Sequence, residues 1–391
     1  MIIACCLFKF FPYGGLSRDF RRIALALLAK GHTVRAYVQK WQGERIDGVE
    51  IFEYSGRAFT NDGAVHEYCR FVKESLRLDP VDVVLGFNKM PGLDFYFVAD
   101  VCYVNKVESE KKGIKKLLYK QTRRYKTFSA MERSVFGEDS KTKILFLDKT
   151  QEILFKNFYD LSMKDIIWLP IGLSDKCRRD RYTQSQIEAF KAELGLDNDT
   201  KLILQVGSDF KRKGLDRTIK AIASLPSEFR NKVRLFVIGE DDVTPFQKLA
   251  KEEGISELVR FAGGTSTAYL AMCAADILLH PAYVENTGTV ILEALALHLP
   301  VITTENCGFS HYVKEYNAGA VLNSPFSQAE LNTLLNMVLS NTYSLEKYRF
   351  AARNFCATLD LYSMVDVVVK NLEHFVWKSR GNSATPKYDS D

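Results

Sequence analysis

Apolar positions along this chain come in short runs separated by longer stretches with helical spacing. Residues 2–8 are one such run, Gly14-Gly15 makes a turn, and residues 16–30 carry Phe20, Ile23, Ala24 and Leu27 at helical intervals before Gly31. Further runs are TVRAYVQ (33–39), VEIFEY (49–54), VDVVLGF (81–87) and KILFLD (143–148). Helical patterns lie between most of them, as at 67–76 and 150–159. A second series starts after Leu169-Pro170-Ile171-Gly172: KLILQVGS, a helix over 215–225, RLFVIGE, a helix near 245–253, VRFAGG, DILLHPA, PVITT and AVLN. This rhythm predicts α/β architecture: two Rossmann-like, doubly wound parallel sheets that place a ligand at their carboxyl edges.

With 391 residues there is material for two domains, and the polar segment 174–184 reads as their connector. The expected division is 1–170, 171–358, and a C-terminal part 359–391 of a helix and a tail. The tail, GNSATPKYDSD, has the composition of a disordered segment.

Composition narrows the function classes. The chain is 47% hydrophobic and 26% charged with a formal net charge of +5, ordinary for a globular protein and short of a dedicated nucleic-acid binder. Its eight cysteines show no C-x-x-C pair, which argues against a zinc site or a disulfide framework and favours the reducing cytoplasm. The first apolar run lacks a basic leader, contains Lys9 and flows into a glycine turn, so it reads as a strand, not a signal peptide. No run approaches the roughly 20 apolar residues of a membrane span.

Candidate chemistry concentrates in HPAYVENTGTVILEALALHLPVITT (280–304). It reads as a strand end, a loop with Glu285, Asn286, Thr287 and Gly288, a helix starting near Thr287 and carrying Glu293, and another strand. Glu293 then lies on the same face as Thr289, and the helix start offers free N–H groups to phosphate or a sugar hydroxyl. From spacing alone, the favoured reading is that Glu285 caps a helix and Glu293 is a solvated surface residue. In VGSDFKRKGLD (206–216), Arg212 and Lys213 lie between a strand and a helix, where adjacent cations suit a diphosphate. In FPYGGLSRD (11–19), Gly14-Gly15 admits close approach of a ligand, with Asp19 just inside the next helix; a plain strand–helix turn fits as well. Asp197-Asn198-Asp199 and Asp389-Ser390-Asp391 match D-x-D only formally, one in a polar turn and one in the tail, so no metal site is expected. The stretch 104–136 carries Lys111, Lys112, Lys115, Lys116, Lys120, Arg123, Arg124 and Lys126 among aliphatic and aromatic residues. It reads as a membrane-surface element, an RNA grip or a solvated helix.

The run 280–304, with Glu285 and Glu293, resembles the E-x7-E signature of retaining glycosyltransferases of the two-Rossmann-domain (GT-B) kind. FKFFPYGGLSRDF, GFNKMPGLDFYFVADVCY, LQVGSDFKRKGLDR, LLHPAYVENTGTVILEA, CGFSHYV and PFSQAELN extend the resemblance over nearly the whole chain. They make it similar to glycosyltransferase family 4, and within that family to the glucosyltransferases of the lipopolysaccharide core. The resemblance implies two domains facing a central cleft, with the last helix crossing back to the first domain. It implies retaining transfer of glucose from UDP-glucose to an inner-core heptose, without a metal or other cofactor. Glu293 would hold the ribose hydroxyls and Glu285 those of the donor sugar, and Arg212 and Lys213 would neutralise the diphosphate. Asn286, Thr287, Gly288 and Thr289 would line the donor loop, with Gly15 and Asp19 on the opposite wall. Asp100 would lie near the transferred sugar or the acceptor, joining Glu285 and Asp19 as a catalytic candidate. Residues 104–136 would dock on the anionic cytosolic face of the inner membrane. Where the family carries an arginine beside the base, this chain has Phe261-Ala262-Gly263-Gly264, leaving Gly263 and backbone groups to read uracil. Competing expectations are a family 4 enzyme with another donor or acceptor, a GT-B UDP-sugar epimerase, and a non-catalytic membrane- or RNA-binding protein.

Overall fold

A computed structural model of the chain describes residues 1–12, 14–56, 60–197, 199–285 and 287–381. The chain divides into two compact units. The first is Met1–Gly172 together with the C-terminal stretch from Tyr362, and the second is Leu173–Leu361.

In the first unit, seven strands form a parallel sheet: β1 (Ile2–Phe10), β2 (Thr33–Trp41), β3 (Val49–Glu53), β4 (Val83–Gly86), β5 (Phe95–Phe97), β6 (Lys143–Phe146) and β7 (Ile166–Trp168). Their order is β3-β2-β1-β4-β5-β6-β7. β1 is central, and its side chains alternate between two cores. Ile3, Cys5 and Leu7 pack with Phe20, Ile23, Ala24 and Leu27 of the helix Gly15–Ala29. Ala4 and Cys6 pack with Tyr37, Tyr68 and Val72 on the other face. Burial on both faces is why this strand reads as an unbroken apolar run. It also accounts for Cys5 and Cys6 as small hydrophobes, and all eight cysteines are free. The C-terminal helix Met364–Ser379 joins the first core through Met364, Val368, Val369, Leu372 and Val376. That stripe places it on this unit although the chain before it belongs to the other.

In the second unit the strands are β8 (Lys201–Val206), β9 (Val233–Ile238), β10 (Val259–Phe261), β11 (Ile277–His280), β12 (Val301–Thr304) and β13 (Gly319–Leu322). They are parallel, in the order β10-β9-β8-β11-β12-β13. From β8 the chain winds toward one edge and from β11 toward the other, so the order reverses between these two neighbours. Such a switch point opens a crevice beyond the strands' carboxyl ends.

Two strands escaped the sequence pattern. FYF (β5) and IIW (β7) are three residues each. The connector expected over 174–184 holds two 3-10 turns, Asp175–Cys177 and Arg179–Arg181. No helix among the described residues is long and apolar enough to cross a membrane.

Candidate active site at the β8–β11 switch point

The loop after β8 and the loop after β11 are built against each other. Gly214 has φ +77°, and a Cβ there would stand 2.1 Å from the Pro281 carbonyl oxygen, so only glycine permits this approach. The buried Arg217 donates from Nη1 to the carbonyls of Pro281 (2.9 Å) and Ala282 (3.2 Å), and its guanidinium stacks 3.5 Å from the Tyr283 ring centroid. Thr304 Oγ1 donates to Ala282 O at 2.7 Å. The 283–288 loop is pinned to the loop after β12: Glu285 N donates to Asn306 O (3.0 Å), Gly308 N to Glu285 O (3.1 Å) and Phe309 N to Thr287 O (2.8 Å).

These contacts fix Glu285. Lys213 Nζ donates to its Oε2, and Arg212 Nη1 reaches the same oxygen at 3.1 Å. Arg212 also donates from Nε to Asp209 (2.6 Å) and from Nη1 to Val284 O (3.2 Å). Burial, then repulsion by Arg212, brings the Lys213 ammonium down to about 8. His280, at the end of β11, is fully buried with Nε2 3.8 Å from Glu285 Oε2. Neither of its ring nitrogens has a hydrogen-bond partner among the described residues. Burial, then the neighbouring Lys213 and Arg212, lowers its pKa to about 3, so it stays neutral at ordinary pH. Two cations and one carboxylate converge, with a neutral imidazole behind them.

The next helix is Thr289–Ala296, two residues later than expected, because Gly288 at φ +72° is left-handed and caps it from outside. Thr289 is therefore its first residue, and Glu293 lies one turn further on the same face. Glu293 is only 8% exposed, which removes the reading of it as a solvated surface residue. Asn286 lies outside the described residues. On the other side of β8, Gly263 has φ +66° and its carbonyl accepts from Gly239 N at 2.9 Å. A Cβ at the neighbouring Gly264 would meet Glu240 Oε1 at 2.6 Å.

The remaining candidates belong to the first unit. Gly15 opens the helix Gly15–Ala29, and beyond its chain neighbours and its own helix a Cβ on it would meet no atom of the described residues within 4 Å. Asp19, one turn on, faces Arg22 Nη1 at 3.9 Å. Asp100 accepts from Asn88 Nδ2 at 3.1 Å; burial raises its pKa, against the lowering by Lys89 and that hydrogen bond. Beside it lies a pair that sequence reasoning missed. Glu132, fully buried, accepts from Lys89 Nζ (2.6 Å), Tyr103 N (2.6 Å), Val104 N (3.2 Å) and Tyr159 OH (3.1 Å). Lys89 sits in GFNKMPGLD, a signature already noted, yet nothing in the sequence couples it to a residue 43 positions away. Among the described residues, no three His, Cys, Asp or Glu side chains gather as a metal-ligating group.

The basic stretch folds as three helices, Tyr103–Glu110, Gly113–Gln121 and Arg123–Phe136. Part of its charge is spent internally. Glu108 accepts from both Lys116 (2.7 Å) and Lys120, and Arg123 pairs with Asp62 at 3.0 Å. Lys111 lies over the Tyr119 ring (4.3 Å) and Arg124 over Phe128 (5.2 Å). The helix Gly113–Gln121 buries no residue and exposes Ile114, Leu117 and Leu118 at 73%, 65% and 65%.

Comparison with known proteins decides the family. Residues 186–355 match the model for glycosyl transferases group 1. Over 377 residues the chain is 41% identical to the lipopolysaccharide glucosyltransferase WaaG of Escherichia coli strain K12, covering 95% of this chain and 100% of that one. The chain belongs to the group 1 glycosyltransferases. The crystal structure of WaaG superposes with a TM-score of 0.85 at 40% identity, over 95% of this chain and 99% of that one. A sucrose-phosphate synthase from Thermosynechococcus elongatus, 16% identical with a TM-score of 0.74 over 97% and 99%, shares the fold. The architecture is thus that of a GT-B glycosyltransferase, and the converging Arg212, Lys213 and Glu285 occupy its switch point.

Proposed function

We propose that this glycosyltransferase transfers glucose from UDP-glucose, with retention, to a heptose of the lipopolysaccharide inner core. The observation that carries the reading is the ion cluster of Arg212, Lys213 and Glu285 at the switch point, in a chain 41% identical to WaaG. A donor diphosphate is the natural partner of Arg212 and Lys213, which meet at Glu285 in the loop that leads into the helix Thr289–Ala296. When it binds, the cations leave Glu285, which turns to the donor sugar's hydroxyls, while Glu293 takes the ribose. In the first unit, Gly15, Asp19 and Asp100 are the candidates for binding the acceptor.

In the chemical step the bond from the sugar's C1 to the diphosphate oxygen breaks, and the two cations and the helix N-terminus stabilise the charge that develops. The acceptor hydroxyl attacks C1 from the face the diphosphate leaves, and its proton passes to the departing phosphate oxygen. Retention follows without a carboxylate nucleophile. Charge neutralisation by Arg212 and Lys213 also makes a divalent ion dispensable. The exposed apolar side chains of Gly113–Gln121, flanked by Lys112 and Lys115, would seat the enzyme on the anionic cytosolic surface of the inner membrane. The test is a donor screen with proton NMR of the product. An α-glucosyl product from UDP-glucose supports the reading; an inverted product, or preference for another sugar, replaces it.

A further inference from the structure

The second unit carries a cationic cavity at the opposite edge of its sheet, and no part of the transfer reaction uses it. It occupies about 440 Å³ among Arg179, Lys191, His298, Arg349 and Arg353, with Glu346 as its one acidic wall residue. Its walls include Ala274 and Ala275, just before β11, and Leu297, just before β12, so it lies at the amino ends of the strands whose carboxyl ends hold the donor site. Arg349 is neutralised, by Glu346 at 2.8 Å and Asp276 at 3.1 Å. Arg179, Lys191 and Arg353 make no ion pair among the described residues; Arg179 only donates from Nη1 to Tyr182 O at 2.8 Å. Three like charges lining one concave wall repel one another and focus a positive potential into the cavity.

His298 adds a second, independent observation. It follows the helix Thr289–Ala296 at the position where the chain turns left-handed, with φ +63°. The closing hydrogen bonds, His298 N to Leu295 O (3.0 Å) and Leu299 N to Ala294 O (2.8 Å), form a helix stop that glycine usually fills. A histidine here is strained and lines the cavity without a side-chain hydrogen bond among the described residues. Burial, then Arg353 and Arg179, lowers its pKa to about 4. The negative end of the helix dipole points this way too, but it amounts to about half a charge against three whole ones.

We propose that this cavity binds a phosphate group, held by Arg179, Lys191 and Arg353 with His298 as a further donor. The ligand is a soluble phosphate ester or polyphosphate, or the phosphate of an anionic lipid headgroup. Because His298 terminates the helix that carries Glu293, occupancy acts on an element of the donor site.

The test follows the His298 Cε1 proton by NMR in the full-length protein, which has six histidines. The resonance is assigned by loss in His298→Gly, a residue suited to that backbone. Saturating UDP is present throughout to fill the donor site. One arm adds inorganic pyrophosphate and the other adds phosphatidylglycerol vesicles, with phosphatidylcholine vesicles as the control. The proposal predicts a saturable shift of His298 with its pKa rising from about 4. In Lys191→Glu/Arg353→Glu that response should weaken about tenfold or more. A response to pyrophosphate alone identifies a soluble phosphate, and one to phosphatidylglycerol alone identifies a lipid. No response in either arm, or an unchanged response in the double variant, overturns the proposal. Because the readout is local to His298, failure of UDP to bind would count against the donor reading and leave this test intact.

Discussion

Lys213 and Glu285, 72 positions apart in sequence, form an ion pair in which each side chain is 12% exposed, and Arg212 shares the same carboxylate oxygen. The two cations and the carboxylate therefore hold one another in place, and under the proposed function a bound donor would have to separate them. Such an arrangement keeps three charges from standing unpaired in a half-buried site.

Removing Glu285 should therefore divide binding from chemistry. In Glu285→Gln the cations are released from their internal partner, so UDP should bind as tightly as in the parent or more tightly, while transfer falls. Calorimetry with UDP beside a turnover assay checks the split. Arg212→Ala and Lys213→Ala should instead lose both UDP affinity and turnover, the latter by on the order of 10²–10³-fold, as when a donor to developing charge is removed.

Donor affinity should depend on pH through Lys213. Its ammonium titrates near 8 in the free protein, and a bound diphosphate raises that value by favouring the charged form. The complex thus holds more protons than the free enzyme, so affinity is full well below 8 and falls as pH rises through it. The KM for the donor, measured from pH 6.5 to 9.5, should rise above about 8, and Lys213→Arg should flatten the curve.

The Lys89–Glu132 pair should be costly to break from one side. With side chains 8% and 0% exposed, either partner alone becomes an uncompensated buried charge, at about 3–5 kcal/mol. Glu132→Gln and Lys89→Met should each lower the thermal midpoint by more than the double variant does. Midpoints that add would contradict this.

Membrane attachment should follow the unpaired lysines. Lys116 and Lys120 are held by Glu108, whereas Lys112 and Lys115 make no ion pair among the described residues. Lys112→Glu/Lys115→Glu should weaken vesicle binding by at least about 2 kcal/mol, at about 1 kcal/mol per basic residue near an anionic surface. Lys116→Glu/Lys120→Glu should weaken it less, and Leu117→Ser/Leu118→Ser should abolish the remainder. Flotation with phosphatidylglycerol vesicles measures all three.

Much of the fold was legible because apolar runs and helical spacing are local properties. β1 announced itself through burial on both faces, and the helix Gly15–Ala29 through Phe20, Ile23, Ala24 and Leu27. β5 and β7, three residues each, were missed, whereas β10, equally short, was picked out within VRFAGG. At the site, Arg212 with Lys213 and Glu285 with Glu293 stood out as two separate pairs, but the pairing of both cations with Glu285 did not, since it rests on two loops meeting at Gly214 and Pro281. His280 looked like one more residue at a strand end. Its place behind Glu285 depends on the register of β11, which no local pattern encodes.

The central claim is tested most directly by UDP release from UDP-glucose, with and without heptose-terminated core lipopolysaccharide, in EDTA, for the parent protein and Glu285→Ala. Release that requires the acceptor, survives EDTA and disappears in Glu285→Ala is the predicted result. Release independent of the acceptor, loss of activity in EDTA, or full activity in Glu285→Ala would contradict it.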